Sequence, residues 1–479
     1  MLTRRANRVH GLRKAALSLP LLGPLPGDLV KLLLRLLPLD TRLRAREVRR
    51  GWCALLEDAE LWTHVDLSAS CGVNLRFLDP HRGDWRLLLA LLRAACVRAK
   101  GGLLSVDLSG VFVGWQGVPF VLQLAETLSA AEKASLRDLV APTSRSLNAG
   151  QVTALCLALS LCRVRCTVYC NAVEALPLLR REPPFALLTI GHLFVFLNPG
   201  GEQAVRDLAS ALTGHKGMGK LGLLHVPPLA TCAVVDALVD AAISAGIIDT
   251  VFDDCGLSQT ALPALGRLIQ SPGFEHLQLS NDNDALFEGP ALPAFCEALR
   301  NCTSLRTLGL DSVNLWADLA VATQLFDALE GLPALQKLSL CVNSTEGSPA
   351  VQRAAGECLA RLNARSSSLR VMDVSYNELG EAGMTPIFQA LRNNSSLTEL
   401  VFRGEQISAS AEFARDVVLP AVRANTCLRK LQGLRWVGVD APEIDSDADE
   451  EDDVEELLPA LQEVWDILEA RRLADKEAA

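Results

Sequence analysis

The residues of this chain best equipped for chemistry are its 14 cysteines and 7 histidines. Cys162, Cys166 and Cys170 recur at intervals of four. On a helix that spacing sets three thiols on one face, as a metal site would need. No CxxC pair accompanies them and no histidine stands at ligand spacing, so buried structural thiols are the better reading. His64 and His192 have no acid–base partner at a useful interval and read as structural residues. No GxxxxGK[ST], HExxH or GxSxG arrangement occurs, and Gly200-Gly201 lacks the strand–helix setting of a phosphate loop. Ser446, among Asp445, Asp447 and Asp449, is a modification candidate that an acidophilic kinase would accept; a phosphate there would deepen the local negative field. The expectation is a non-catalytic chain with no cofactor and no metal.

The other chemistry available to such a chain is recognition, and composition narrows the partner. The formal net charge is −10 over 479 residues. The first fifty residues hold about twelve basic groups against three acidic, whereas Asp440–Glu456 holds about eleven acidic groups and no basic one. Such a run repels itself and is expected to be a disordered linker. The basic residues are not interleaved with aromatics, which argues against a nucleic-acid surface. No apolar run reaches the roughly 18 residues of a membrane span. Arg4, Arg5, Arg8, Arg13 and Lys14 before Ala15–Leu22 loosely imitate a targeting peptide, but Pro20 and Pro24 interrupt the apolar stretch. The cysteines show no disulfide framework, and Cys156, Cys296 and Cys358 sit within apolar patterns, as free thiols do in a reducing compartment. A cytoplasmic or nuclear location follows as the expectation. Glycosylation sequons at Asn301, Asn343, Asn393 and Asn394 are read as chance, because Asn343 falls on an inward position of the pattern described below.

Two kinds of element must position any binding residues. The first is Leu25–Ser68. Pro26 suits a first helical turn. Leu29, Leu33 and Leu37, with Leu32 and Leu36 beside them, make one broad apolar face, and Pro38 stops that helix. Thr41 can cap a second segment carrying Leu43 and Val48, and Trp52, Leu55, Leu56, Leu61 and Trp62 continue the apolar pattern. So short a piece cannot bury enough surface to fold alone. Each leucine that a partner covers adds roughly 1.5–3 kcal/mol, so partner binding and local folding are expected to be linked. From periodicity alone an ordinary helical cap on the next domain fits equally well.

The same stretch resembles the F-box, the adaptor-docking motif of cullin-type ubiquitin ligases. The resemblance lies in Leu25-Pro26, Asp28, Leu29, Leu33-Leu34 and Leu37-Pro38-Leu39, then in Val48, Arg49-Arg50, Trp52, Leu56 and Leu61-Trp62. It departs from the family pattern at Arg49, where Cys or Ser is usual, and at Leu33-Leu34, where Ile-Phe is usual. The resemblance implies a Skp-type adaptor, and through it a cullin, as partners, with Leu25, Pro26, Leu29, Leu33, Leu37, Pro38, Val48, Trp52 and Trp62 as the docking residues.

The second element is a repeat. The pattern L-x-x-L-x-L-x-x-N/C-x-L returns about every 26–36 residues. Its clearest unit is Leu369, Met372, Val374, Asn377, Leu379. Others begin at Leu103, Leu136, Phe185, Leu221, Ile247, Phe274, Leu305, Leu335, Leu397 and Leu428, with a degraded unit near Cys166 and Val168. In the unit at Leu221 the apolar positions are read as Leu221, Leu224 and Val226. Each unit reads as a short strand, a turn and a helix, and no unit buries its apolar side without a stacked neighbour. An ordinary α/β fold without repeats is the alternative. The units resemble ribonuclease-inhibitor-like leucine-rich repeats over about two thirds of the chain, and in that family the ninth-position Asn or Cys (here Asn343, Asn377 and Cys255) turns inward.

The expected fold is therefore α/β: a small α-helical F-box followed by a leucine-rich-repeat solenoid, with a curved parallel sheet inside and helices outside. The expected layout is a basic tail (1–22), F-box (23–68), helical connector (69–101), repeats (102–436), acidic linker (437–456) and a C-terminal amphipathic helix (457–475). That helix carries Leu461, Val464, Trp465 and Leu468 on one stripe and is expected to cap the solenoid. The layout implies a substrate receptor of a Skp–cullin–F-box ligase, and the alternative is a repeat scaffold unrelated to ubiquitin, such as a GTPase regulator. Between the strand leucines, Arg306, Lys337, Arg370, Asp373, Tyr376 and Arg403 are the candidate target-binding residues, suited to a protein or peptide ligand.

Overall fold

The computed structural model describes residues 62–66, 84–109, 123–129, 135–141, 147–196, 201–226, 232–281, 286–405, 411–433 and 451–478. The chain divides into two compact units, Met1–Cys170 with Glu174–Phe194, and Asn171–Val173 with Val195–Ala479. Every F-box docking residue named above except Trp62 lies outside the described residues, as does Ser446.

In the first unit the strands β1 (His64–Asp66), β2 (Ser105–Asp107), β3 (Asp138–Val140), β4 (Arg163–Cys170) and β5 (Leu188–Phe196) stand in chain order. Val65, Val106, Leu139 and Val164 pair in parallel register and are all buried. Parallel neighbours need a crossover, and helices supply it: Asp84–Arg98 between β1 and β2, and Ala149–Ala158 before β4. The second of these helices starts at a capping box, with Asn148 and Gln151 bonding each other's backbone N–H at 2.9 Å. Among the described residues sheet pairing begins at His64, inside the span expected to be F-box, rather than at residue 102. The cysteines spaced by four also find their place here. Cys166 and Cys170 lie on β4 and Cys162 just before it, on a strand rather than a helix. Four is an even number, so a strand also puts them on one face. All three are buried, and burial pushes the Cys170 thiol up to about 12 and the Cys166 thiol higher still, the state of packed, unreactive thiols.

In the second unit the strands are β6 (Lys220–Leu224), β7 (Asp249–Asp253), β8 (His276–Ser280), β9 (Thr307–Asp311), β10 (Lys337–Ser339), β11 (Val371–Asp373), β12 (Glu399–Val401) and β13 (Lys430–Gln432). They too lie parallel and in chain order. The register runs Leu221, Thr250, Leu277, Leu308, Leu338, Met372, Leu400, Leu431 along one row, each buried. That row is the fourth position of the repeat. Leu221 therefore holds the fourth position of its unit, with Met218 as the first and Leu223 as the sixth. The sequence reading of Leu221, Leu224 and Val226 was displaced by three residues, because several apolar residues in a row fit either phase. Return helices such as Leu262–Ile269, Leu292–Arg300 and Leu319–Leu329 pack each on the next. Helices Pro349–Arg365 and Gly380–Leu391 approach so closely that a Cβ on Gly356 would lie 2.1 Å from the Gly383 carbonyl oxygen.

The last helix, Glu451–Ala478, starts earlier than expected, within the acidic run. It buries Leu461, Val464 and Leu468 and packs on the helical segments Ala411–Phe413, Ala414–Val418 and Leu419–Ala424. Arg471 donates to the carbonyls of Val422 (2.8 Å) and Leu428 (3.3 Å), and Asp475 accepts from Arg429 at 2.6 Å. The end of the repeat stack is thus covered by a polar-faced helix, as a repeat array requires.

Candidate functional site

The ninth position of each coil sets the geometry of everything beside it. Asn343 is fully buried; its Oδ1 accepts from the Val313 and Leu315 N–H groups (3.0 and 3.1 Å), and its Nδ2 donates to the Leu310 and Leu340 carbonyls (2.7 and 2.9 Å). Asn377 repeats the donor half toward Leu340, and its Oδ1 accepts from the Trp316 indole at 3.0 Å. The Cys255 thiol donates to the Leu223 carbonyl at 3.2 Å. Glu405 offers only acceptors, one oxygen taking the Asn377 N–H at 2.6 Å and the other the Leu379 N–H. An amide supplies both halves strongly; a thiol is weak in either role, and an ionised carboxylate only accepts. The Glu405 carboxyl is pushed up to about 7, chiefly by burial, with the two backbone N–H groups opposing.

The eighth residue of each of these coils takes a left-handed turn, whether the ninth is a ladder residue or, as at Val226 and Val313, a buried valine. His225, Asp254, Asn281, Ser312, Val342, Tyr376 and Gly404 all have φ between 50° and 67°. His, Asp, Asn and Gly tolerate that conformation. A β-branched residue there costs about 1–3 kcal/mol. Val342 nonetheless holds it at φ 61°, with 53% of its surface exposed, and Tyr376 in the next coil does so at φ 60° with 54% exposed. The Tyr376 ring lies across Gly404, in the space a Cβ would fill. The Val342 N–H donates to the Ser375 carbonyl at 2.9 Å, which fixes the two coils side by side.

Next to that pair, strand ends carry carboxylates. Asp311 Oδ1 accepts from the Ser339 hydroxyl (2.7 Å) and the Cys341 N–H (2.8 Å). Asp373 Oδ1 accepts from the Ser375 hydroxyl and N–H (2.6 and 3.1 Å). Burial is the largest influence holding the Asp311 carboxyl above its ordinary range, and Asp373 adds to it. Cys341, between them, is pushed up to about 12, again mostly by burial.

The six residues expected to touch a target fall into two groups. Arg306, Lys337 and Arg370 stand where strands begin; Asp373, Tyr376 and Arg403 stand where they end. Arg370 precedes Asp373 by three residues, about 10 Å along the strand, and Lys337, in register with Val371, by two, about 7 Å, so the two groups adjoin at Lys337 and Asp373. Arg306 pairs with Glu275 at 3.3 Å, and Arg370 donates to the Ser396 and Ser367 carbonyls at 2.8 and 3.3 Å, which makes Arg370 a clasp between coils. Lys337 is exposed, and Arg403 is turned to the Gln432 side chain. Sequence reasoning passed over Val342, Asp311 and Cys341. The available signal was Val342 itself, an aliphatic residue directly before a ladder asparagine, where the chain must turn. Trp62, expected to meet an adaptor, is 1% exposed, with the Arg98 guanidinium 5.2 Å from its ring centroid, so its ring is part of the first unit's core. His64 and His192 bond Ser105 (2.6 Å) and Thr167 (3.4 Å). Asn343 and Asn394 are buried within hydrogen-bond ladders. No helix among the described residues is long and apolar enough to cross a membrane.

No protein-family model and no curated protein matches this chain. Among solved structures, yeast Rad7 in its complex with Elc1 is similar over 76% of this chain and 87% of that one, at 13% identity and a TM-score of 0.40. The tropomodulin C-terminal domain of Caenorhabditis elegans covers 37% of this chain and 96% of its own, at 18% identity and a TM-score of 0.27. Actin-binding site 2 of leiomodin-1 covers 40% and 99%, at 16% identity and a TM-score of 0.29. The fold assignment rests on the strand register and the ninth-position ladder.

Proposed function

We propose that this chain is the non-catalytic substrate-recognition subunit of a Skp–cullin–F-box ubiquitin ligase. One observation carries the reading. The Leu-Pro, Leu-Pro-Leu, Val-Arg-Arg-x-Trp and Leu-Trp pattern of residues 25–62 runs without a spacer into the first strand of a repeat array. Leu25, Pro26, Leu29, Leu33, Leu37, Pro38, Val48 and Trp52 would dock a Skp-type adaptor, and through it a cullin. Trp62 would anchor the motif to the first coil. The repeats would hold a target protein near a ubiquitin-charged enzyme, so the chain's contribution is proximity and orientation.

Co-expression of the full chain with a Skp-type adaptor, followed by size-exclusion chromatography, tests this. A one-to-one complex is expected, and Leu29→Asp with Trp52→Ala is expected to abolish it while leaving the circular dichroism of the repeats unchanged. A chain that elutes alone with every Skp-type adaptor tried refutes the reading.

A further inference from the structure

We infer that the outer face of helix Ala149–Ala158 seats the chain's own amphipathic segment, residues 25–56, and that this seat closes the segment to an adaptor until it is displaced. The seat stands on the geometry of the first unit alone; the competition with an adaptor rests on the receptor reading.

Residues 147–162 carry no charged side chain. Every other helix of eight residues or more among the described residues carries at least one. The inner face of Ala149–Ala158 is buried through Val152, Leu155 and Cys156. Its outer face runs through Leu157, 64% exposed, to Leu161 four residues on, 65% exposed. Leu187, 42% exposed, belongs to the turn Phe185–Leu187 that touches this helix. Neighbouring large aliphatic side chains so exposed on one uncharged face mark a docking surface.

The place where the preceding chain joins the unit selects the occupant. Trp62 is buried two residues before His64, and Leu161 stands two residues before Arg163. His64, Ser105, Asp138 and Arg163 are in register. Trp62 and Leu161 therefore lie at the same end of the sheet, three strands apart, about 14 Å. Residues 57–61, fully extended, reach about 17 Å. Residues 25–56 are thus tethered within reach of the face, at an effective concentration on the order of millimolar, which favours them over a second copy of the chain. Leu29, Leu33 and Leu37 fall on one stripe at helical spacing, the pattern that lies against an apolar helix face. Charge agrees with this occupant. Residues 25–56 hold seven basic groups against three acidic. The helical segments on either side of Ala149–Ala158 present Glu126 and Glu174, both exposed. Beyond Glu174, Arg180 pairs with Glu182 at 3.9 Å. Leucines lying on Leu157 and Leu161 cannot serve an adaptor at the same time.

Photocrosslinking of the full chain tests the seat. With Leu157→p-benzoylphenylalanine at submicromolar protein, irradiation and mass spectrometry should give crosslinks to residues 25–56 of the same chain. A mixture of isotopically heavy and light chains identifies a second copy. Heavy–light crosslinks as the main product overturn the proposal, as does the absence of any crosslink to 25–56. Adaptor titration tests the closure. Leu157→Glu plus Leu161→Glu in the full chain should tighten binding of a Skp-type adaptor at least about tenfold, because apparent affinity scales with the open fraction. Both positions are exposed, so the circular dichroism should stay unchanged. Equal or weaker adaptor affinity in that variant overturns the closure. Crosslinks to 25–56 with no adaptor bound by either protein would keep the seat and remove the ligase; an adaptor complex without those crosslinks would do the reverse.

Discussion

Glu405 occupies the ladder position that Asn343 and Asn377 hold in their own coils, and it performs only the accepting half of their work. Burial raises its carboxyl from an ordinary 4.5 to about 7. The folded state thus holds this proton more tightly than the unfolded state. The stability it contributes is whole below about pH 4.5 and is lost as pH climbs through about 7. At about 1.36 kcal/mol per unit, the loss is about 3 kcal/mol at most. Asn343 shows that an amide at this position accepts from the corresponding ninth and eleventh N–H groups. Glu405→Asn should therefore flatten the dependence. Urea unfolding at about pH 5 and pH 8 is expected to show the parent losing more stability than the variant between the two. Parallel behaviour of the two proteins would contradict this account.

At the scale of elements, the crossing of helices Pro349–Arg365 and Gly380–Leu391 depends on the absence of two side chains. A Cβ at Gly356 would meet the Gly383 backbone at 2.1 Å, and one at Gly383 would meet the Gln352 carbonyl at 2.7 Å. Neither obstacle is the flexible end of a side chain, so the helices must separate. Gly356→Ala should cost about 1–3 kcal/mol, read as a lower midpoint in thermal circular dichroism. Gly356→Ala and Gly383→Ala together should cost less than the sum, because one displacement relieves both contacts. An unchanged midpoint for Gly356→Ala would show that the helices slide apart freely.

At the scale of the whole molecule, stability in each unit comes from neighbour covering neighbour, and the ends are where that fails. The helix Glu451–Ala478 covers the last coil of the second unit through Leu461, Val464 and Leu468. Deleting residues 434–479 should uncover Val418 and Val422. Nearest-neighbour stacking predicts that the damage stays local. Amide hydrogen exchange should quicken in β12, β13 and the helical segments between them, and change little in β7–β9. Equal protection throughout the truncated chain would make the helix an appendage rather than a cap.

The repeat period, the strand leucines and the places of Asn343, Asn377 and Cys255 were legible in the sequence, because each depends on spacing within a single coil. So was the apolar stripe of the last helix. The phase of the unit around Leu221 was not, since Met218, Leu221, Leu223 and Leu224 satisfy two registers and only pairing with Thr250 and Phe252 selects one. Glu405 as a ladder residue and the near contact of Gly356 with Gly383 were decided by tertiary structure alone. These are relations between coils, and the residue that meets a given side chain there depends on the lengths of the intervening helices and loops. Sequence determined what each coil is made of; stacking decided which coils' residues act together.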